Sequence, residues 1–333
     1  MFSTSIQMHS YSTPSFSGRW LLALAVFTPL ALLFLQPAQA DEGDLLLRPS
    51  KLIQTPLRNL LVAEVGTAEN NSSRVSIVDA DGSRRTLLDG LPSAVNSANQ
   101  PSGTSGLYLQ GRTLFVVVGE GAVTRPGPFP RTEIVNPTPA SPIFSSVLAV
   151  HFSAALEKKT TGVALTLADH HPLKSGERLV RFDAAGKKIT IELVVDFPDY
   201  VPEPLPNLPT NIRHSYPYGV VADDDYLYVV DGGYNAVHKA EIGSGLSETL
   251  VSFPFTPNPG PVGPPLIEPV PTSIRWHGDQ LLVTLLSGAP FIAGLSEIRQ
   301  VDPDTGDHIA LIQGLSSAID VIALTKRDRR RST

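Results

Sequence analysis

Three carboxylates stand at, or just after, the ends of apolar segments of the sequence. Glu64, Glu120 and Asp231 each follow a run rich in Val and Leu. If those runs are neighbouring strands, the carboxylates converge, and carboxylate oxygens are the ligands that Ca²⁺ and other hard divalent ions prefer. These residues are therefore candidate metal ligands, with Ca²⁺ or another divalent cation as the candidate cofactor. The structural alternative is that each carboxylate is paired within the fold.

Further polar and aromatic residues extend this candidate site. Asn235 ends the segment Asp-Gly-Gly-Tyr-Asn that begins at Asp231, and the alternative interpretation is a turn whose Asp and Asn side chains cap backbone amides. His214 lies in a proline-rich segment beside Tyr216, where aromatic rings can stack on a sugar or on another flat ligand. We therefore predict a ligand-binding face with the following residues: Glu64, Glu120, His214, Tyr216, Asp231 and Asn235.

The sequence contains no motif that names a reaction. The chain has no cysteine, which excludes disulfides, thiol nucleophiles and Cys-ligated zinc. It contains no Gly-x-Ser-x-Gly elbow, His-Glu-x-x-His helix, phosphate loop or dinucleotide fingerprint. The adjacent pair His170 and His171 is interpreted as part of a polar turn, because neighbouring residues of a strand point to opposite sides. No catalytic residue is therefore identified.

Residues 1–40 differ from the rest of the sequence. One charged residue, Arg19, precedes the apolar segment 20–35, and an Ala-x-Ala motif ends at Ala40. This arrangement is typical of a Sec-type signal peptide cleaved after Ala40, and it predicts a periplasmic or extracellular bacterial protein without a transmembrane anchor. The alternative is an uncleaved anchor, although a spanning helix needs about 20 apolar residues. The net charge of −6 argues against nucleic acid as a partner.

Short strands are the elements that would position the candidate residues. Two units, 218–253 and 271–313, repeat the same order of four strands with matching turns, and each has the length of one propeller blade, about 40–50 residues. The repeat predicts an all-β fold, a β-propeller of four-stranded blades, about five in number within a range of four to six. The segment 145–197 is either one blade or an insertion within a blade.

The two ends of the predicted propeller complement each other. The first unit begins at the segment 60–65 and lacks an inner strand, whereas the segment 318–324 resembles an inner strand without a blade. We therefore expect this C-terminal strand to complete the first blade and close the ring, with a turn amide or a cation beside Asp320. The chain then divides into a signal peptide (1–40), an N-terminal linker (41–56), a propeller (57–325) and a basic disordered tail (326–333).

Alternate connections of an up-and-down blade fall on opposite faces of a propeller. On one face they are long and proline-rich, since the segments 126–142, 198–217 and 254–271 hold six, six and eight prolines. On the other face they are short turns of Gly, Asp and Asn. Loops on a rigid scaffold are where binding sites usually form. We expect this proline-rich loop face to bind a small molecule, a glycan or a protein, and the alternative is that the loops are spacers.

Five segments of the sequence are typical of one protein family, namely YPYGV at 216–220, VVDGGYN at 229–235, VPTSI at 270–274, GAPF at 288–291 and GLSSAID at 314–320. They resemble the ScyD/ScyE family of exported bacterial propeller proteins, which are distantly similar to NHL-repeat propellers. The family usually has Asn where Tyr216 stands, and its members continue past the position of Asp320, where this chain ends in a basic segment. The resemblance covers residues 57–323 and implies a propeller fold and export, but no reaction.

The sequence leaves three functions open. The first is a non-catalytic scaffold that binds a ligand or partner on the proline-rich loop face. The second is a divalent-metal-dependent hydrolase of lactonase type, because lactonase propellers use a similar group of carboxylates with Asn. The third is an accessory protein for the maturation of a secreted metabolite, which rests on the family resemblance alone.

Overall fold

Four sheets form the body of the protein, and each is one blade of a β-propeller. The computed structural model describes residues 45–129, 132–201 and 212–323. Within those residues, each sheet is built outward from an inner strand, and its main strands are antiparallel. The predicted all-β propeller is therefore confirmed, with four blades, which is the lower end of the expected range.

The strands of each blade follow one another from the inner to the outer edge of its sheet. Blade 1 consists of Pro49–Gln54, Leu60–Glu64, Ser73–Val78, Arg84–Leu91 and the parallel strand Val163–Ala164. Blade 2 consists of Thr104–Gln110, Thr113–Val118, Ser146–Phe152, Lys188–Asp196 and Leu179–Phe182. Blade 3 consists of Pro217–Ala222, Tyr226–Asp231, Ala236–Glu241 and Ser247–Ser252. Blade 4 consists of Pro271–His277, Gln280–Leu285, Ser296–Val301 and His308–Leu315.

The ambiguous segment 145–197 contains an insertion within blade 2. Between the third and fourth strands of blade 2 lie the helices Ala154–Lys158 and Leu167–Lys174 and the strand Val163–Ala164, which pairs with blade 1. His170 lies in the second helix rather than in a turn, and its ring nitrogens contact the Ser141 hydroxyl at 3.0 Å and the Gly90 carbonyl oxygen at 2.9 Å. Burial lowers the pKa of His170. This histidine therefore anchors the insertion to blade 1.

Hydrophobic clusters hold successive blades together. Strands in the middle of the ring are apolar on both faces because they lie between two sheets, and five of the six residues in Tyr226–Asp231 are buried. Three clusters fill the interfaces between blades 1 and 2, 2 and 3, and 3 and 4, and such burial is the dominant favourable term in folding. No such cluster joins blades 4 and 1 among the described residues. We call this fourth interface the seam.

Polar side chains line the seam on both sides. On blade 1, Ala63 packs toward blade 2, so the alternation of the strand turns Glu64 toward the seam. On blade 4, Ile274 packs toward blade 3, which turns Ser273 and Arg275 toward the seam. Both walls of the seam therefore carry polar and charged side chains next to apolar ones such as Val62, whereas the other three interfaces are filled by hydrophobic clusters.

Side-chain hydrogen bonds tie each inner strand to the next. Ser50 donates to the Thr104 carbonyl oxygen at 2.9 Å, between blades 1 and 2. Ser105 donates to the Pro217 carbonyl oxygen at 2.9 Å, between blades 2 and 3. The indole N–H of Trp276 donates to a carbonyl of the blade 3 inner strand, also at 2.9 Å. The inner strands therefore follow one another around a central channel in chain order.

The expected closure by a C-terminal strand is wrong. Pro49–Gln54 pairs with Leu60–Glu64 and is the inner strand of blade 1 that the sequence pattern did not reveal, so part of the expected linker is a strand. The segment 318–323 contains no strand, and Ile319 and Ile322 are 65% and 74% exposed. The predicted signal peptide and basic tail lie outside the described residues.

Asp320 nevertheless connects the two sides of the seam. Its carboxylate accepts from Lys51 of blade 1 at 2.6 Å and from Arg275 of blade 4 at 2.9 Å. The Ser273 hydroxyl donates to the second carboxylate oxygen. Asp320 therefore has two cationic partners, Lys51 and Arg275, where the sequence predicted a turn amide or a cation. No helix among the described residues has the length and apolar character needed to cross a bilayer.

Candidate functional site

The long proline-rich connections lie on one face of the ring, which we call the loop face. They join second to third strands, as in 119–145, and successive blades, as in 197–216 and 253–270. Parts of them are ordered as two-stranded ribbons. The ribbons are Ala94–Val95 with Pro101–Ser102, Thr124–Pro126 with Glu133–Val135, Tyr200–Val201 with Arg213–His214, and Thr256–Pro257 with Leu266–Ile267. The expectation that the other face has only short turns is wrong for blade 2, where the insertion 153–187 leaves the third strand on that opposite face.

His214 contacts two carboxylates on the loop face. Its Nε2 is hydrogen-bonded to Glu120, and its Nδ1 lies 3.2 Å from Glu133 Oε2. Asn96 donates to the other oxygen of Glu120 at 2.7 Å, and Ser97 donates to Glu133 at 2.5 Å. We call these five residues the His214 cluster. The cluster ties together three connections of the loop face.

The charges of the His214 cluster fix its protonation. Burial opposes a charge on the imidazole, but the hydrogen bonds and negative charges of Glu120 and Glu133 outweigh it and raise the pKa of His214 to about 10. Burial likewise opposes ionisation of Glu133, yet His214 and Ser97 hold its pKa below the usual range. His214 is therefore an imidazolium held between two carboxylates at neutral pH.

Glu64 lies at the end of the second strand of blade 1 and is fully buried. Arg74 lies 3.0 Å from one carboxylate oxygen and Arg84 lies 3.7 Å from the other. The backbone N–H of Leu47 donates at 2.5 Å, and the Ser76 hydroxyl donates as well. These partners come from the third and fourth strands of blade 1 and from the segment just before its first strand.

Asp231 ends the second strand of blade 3 and caps the turn that follows it. Its Oδ1 accepts from the backbone N–H groups of Tyr216, Gly233 and Tyr234 at 2.8–2.9 Å. Its Oδ2 accepts from Ser215 at 2.5 Å. Burial alone would raise the pKa of Asp231, but nearby His238 and these hydrogen bonds lower it. The geometry of Asp231 therefore agrees with the turn interpretation, in which its side chain caps backbone amides.

Asn235 connects that turn to the next long loop. Its backbone has a φ of +56°, a left-handed conformation that Asn adopts more readily than most residues. Its side chain donates to Glu268 at 3.1 Å and accepts from the backbone N–H of Val270 at 3.0 Å. Asn235 therefore holds the turn that follows blade 3's second strand against the connection 253–270.

The candidate metal ligands are thus engaged with different partners. Glu64 is paired with arginines, Glu120 with His214, and Asp231 with backbone amides. In residues 45–129, 132–201 and 212–323, no group of three or more His, Asp or Glu side chains is arranged to hold a metal ion. The second-strand ends share a face, as the sequence predicted, but their carboxylates do not form a common ligand set there.

Tyr216 and Tyr218 line a pocket of about 190 Å³ at the mouth of the channel. Their rings meet edge to face, with centroids 6.0 Å apart. Burial, reinforced by the charge of Glu120, raises the pKa of Tyr216. We call this cavity the mouth pocket. No charged side chain lines it, and the residues that do are Tyr216, Tyr218, Gly232, Val270, Pro271, Thr272, Leu286 and Ile319.

Two important groups of residues were not among the sequence candidates. Glu133 completes the His214 cluster, but it lies in a proline-rich segment whose ribbon gives no apolar alternation. Lys51 and Arg275 bind Asp320, although 269 and 45 residues separate them from it. The only sequence signal for this pair was the isolated charge of Asp320 in an apolar segment.

No family model matches the chain, and no curated protein matches it. Three solved structures illustrate what it is similar to. A protein of unknown function from Bacteroides thetaiotaomicron is 9% identical, with 80% of this chain and 43% of that chain covered and a TM-score of 0.39. A streptogramin B lyase is 14% identical, with 82% and 71% covered and a TM-score of 0.35. A nidogen/laminin complex is 10% identical, with 79% and 64% covered and a TM-score of 0.36.

The chain therefore spans less than half of the first of these proteins and just under two thirds of the third. At these identities the likenesses concern the fold alone. The assignment as a propeller rests on the sheet order described above.

Proposed function

We propose that this chain is an exported propeller protein of the ScyD/ScyE type that binds a flat, uncharged ligand in the mouth pocket without catalysis. The observation that carries the proposal is the pocket itself. Two tyrosine rings and apolar side chains line it, and no charged group does. Pockets of this kind, with few polar groups on a rigid scaffold, are typical of small-molecule sites.

The rigidity of the loop face favours binding. Proline fixes φ in the surrounding loops, and the His214 cluster holds three of the connections together. A preformed site loses little conformational entropy when a ligand enters. The volume of about 190 Å³ suits a single sugar ring or a fused bicyclic aromatic rather than a long chain.

His214 and Asp231, two ionisable groups close to the pocket, are poorly suited to general-base catalysis. A general base must be within reach of its substrate and must have a pKa near the working pH. His214 is held as a cation, with its pKa raised to about 10, and Asp231 caps a turn with both oxygens. These residues stabilise the face, and the ligand is bound rather than transformed.

Export is the second part of the proposal. It is supported by the charge, apolar segment and Ala-x-Ala motif of residues 1–40, which indicate cleavage after Ala40. N-terminal sequencing of protein recovered from outside the cytoplasm tests it, and an intact segment 20–35 in the membrane fraction would contradict it.

Ligand binding can be measured by calorimetry with two uncharged probes, naphthol for the aromatic class and methyl glucoside for the sugar class. One of the two should bind, and Leu286→Trp should weaken it at least ~10-fold, equivalent to ~1.4 kcal/mol, because the indole fills the pocket. The matched control is Leu246→Trp, at a side chain that is 73% exposed outside the pocket.

Either of two binding results, or one result with metal, would overturn the proposal. The binding results are that neither probe binds, or that Leu286→Trp binds like the wild type. The result with metal is a rise in melting temperature with Ca²⁺ that Glu64→Gln abolishes, which would favour the metal-dependent hydrolase.

A further inference from the structure

A second cavity lies at the seam, on the other side of Tyr218 from the mouth pocket. Its volume is about 500 Å³, more than twice that of the mouth pocket. The inner strands of blades 1 and 4 form its walls, together with the segment 318–323. Its charged lining residues are Lys51, Arg275 and Asp320, and its apolar ones include Leu52 and Val62.

The charges in this cavity do not balance. Lys51 and Arg275 share one carboxylate, that of Asp320, at 2.6 Å and 2.9 Å. The three charged residues in the lining therefore leave one positive charge uncompensated. Burial and the neighbouring charge of Arg275 lower the pKa of Lys51, against the opposing effect of Asp320. A further anion in the cavity would relieve this repulsion.

The segment that carries Asp320 fills the cavity only in part. Ile319 and Ile322 line it yet remain mostly exposed, so the segment is held chiefly by polar contacts. These include the bonds of Asp320 and a hydrogen bond from Thr272 to the Ile319 carbonyl oxygen at 3.1 Å. The cavity therefore keeps unfilled volume and apolar side chains beside Lys51 and Arg275.

We propose that the seam cavity binds a small organic monoanion with an apolar body. Its anionic group contacts Lys51 and Arg275 beside Asp320, and its body lies against Leu52, Val62 and Tyr218. A charge in this partly buried setting is attracted more strongly than one at the open surface. This site adjoins the mouth pocket, with which it shares Tyr218 and Ile319, and its ligand is distinguished by charge.

The test uses two fluorescent probes that share a ring system. Anilinonaphthalene sulfonate carries the anion, and phenylnaphthylamine lacks it. Lys51→Gln and Arg275→Gln should each weaken the sulfonate about 10-fold, with phenylnaphthylamine unchanged, because each removes one cation. Asp320→Asn should tighten sulfonate binding several-fold at a stoichiometry near one, because the competing carboxylate is neutralised.

The controls separate this site from other effects. Lys174→Gln removes a lysine that is also ion-paired, with Asp196, but lies on another part of the molecule, and it should leave both probes unaffected. Leu286→Trp should leave the sulfonate bound even if it abolishes binding in the mouth pocket. Asp320→Asn also covers the case in which the Gln variants do not fold, since unfolding cannot produce a tighter single site.

The proposal is overturned if the sulfonate binds Lys51→Gln and Arg275→Gln as tightly as Lys174→Gln. It is equally overturned if phenylnaphthylamine loses as much affinity as the sulfonate, because the anion then plays no part. Unchanged or weaker sulfonate binding by Asp320→Asn would also contradict it.

Discussion

At the residue scale, buried carboxylates of the loop face are stabilised by cations or by backbone N–H groups. Glu64 has two arginines, Glu120 has the His214 imidazolium, and Asp231 has three amides. Burying an unpaired charge is costly, whereas a paired and hydrogen-bonded one is tolerated. Because the partners of Glu120 come from different connections, this pairing also fixes how the loops lie against one another.

The His214 cluster should make stability depend on pH. The folded protein holds the imidazole proton with a pKa of about 10, whereas an unfolded histidine releases it near pH ~6.5. The stabilisation is therefore fully present below about pH 6.5 and is lost as pH rises toward about 10, at no more than ~1.4 kcal/mol per pH unit. Urea unfolding of wild type and His214→Gln should show the difference between them shrinking over this range.

The variant His277→Gln, at an exposed position, controls for the loss of a histidine in general, and it should follow the wild-type profile. A difference between wild type and His214→Gln that stays constant from about pH 7 to about pH 9.5 would contradict a shared proton.

The sequence predicted the location of these residues better than their partners. Asp231 and Asn235 were readable as a turn because their partners lie within a few residues. Glu120 was not readable as an ion-pair partner of His214, because the two are brought together by the packing of separate connections. Local spacing encodes turns, whereas pairing between loops arises only once the blades are assembled.

At the element scale, the inner strand of blade 1 was not predicted from the sequence pattern. Pro49–Gln54 borders the seam, and Leu52 is 60% exposed, so the strand lacks the two-sided apolar pattern of its counterparts. The segment 318–323 has more apolar residues but no free edge to pair with, because that edge is already occupied. Composition identified a good strand sequence, but the available edge decided which segment became a strand.

Two isoleucine variants should distinguish these segments. Ile53 packs against the cluster between blades 1 and 2, and Ile53→Ala should lower the free energy of unfolding by ~2 kcal/mol. Ile322 is 74% exposed, and Ile322→Ala should change it by less than ~0.5 kcal/mol. Chemical denaturation of both variants measures the difference. Equal losses would mean that the two segments contribute alike to the core.

At the scale of the whole molecule, the ring has an exposed edge. His308–Leu315 is the outermost strand of blade 4, and it has no further partner strand among the described residues. Its side chains Ile309, Leu311 and Ile312 are 44–63% exposed. Apolar edge strands favour pairing with another chain.

We therefore expect the protein to self-associate as its concentration rises, and Leu311→Lys to weaken this association by about 10-fold or more. Sedimentation velocity over a concentration series measures it. Leu246→Lys is the matched control, because Leu246 is also exposed but lies in a connection between strands. A wild type that stays monomeric at every concentration, or two variants that behave alike, would contradict the role of the edge.

The seam also bears on the order in which the molecule can fold. The apolar interfaces join only sheets that are adjacent in the chain, and each sheet begins with its own inner strand. A ring sealed by a strand from its far end must bring distant segments together first, which slows folding because long loops are closed at an entropic cost. Here each blade can dock on its predecessor as soon as it is synthesised. Among the described residues, the contact of Asp320 with Lys51 must wait until residue 320 has been synthesised, and none of the three hydrophobic interfaces includes it.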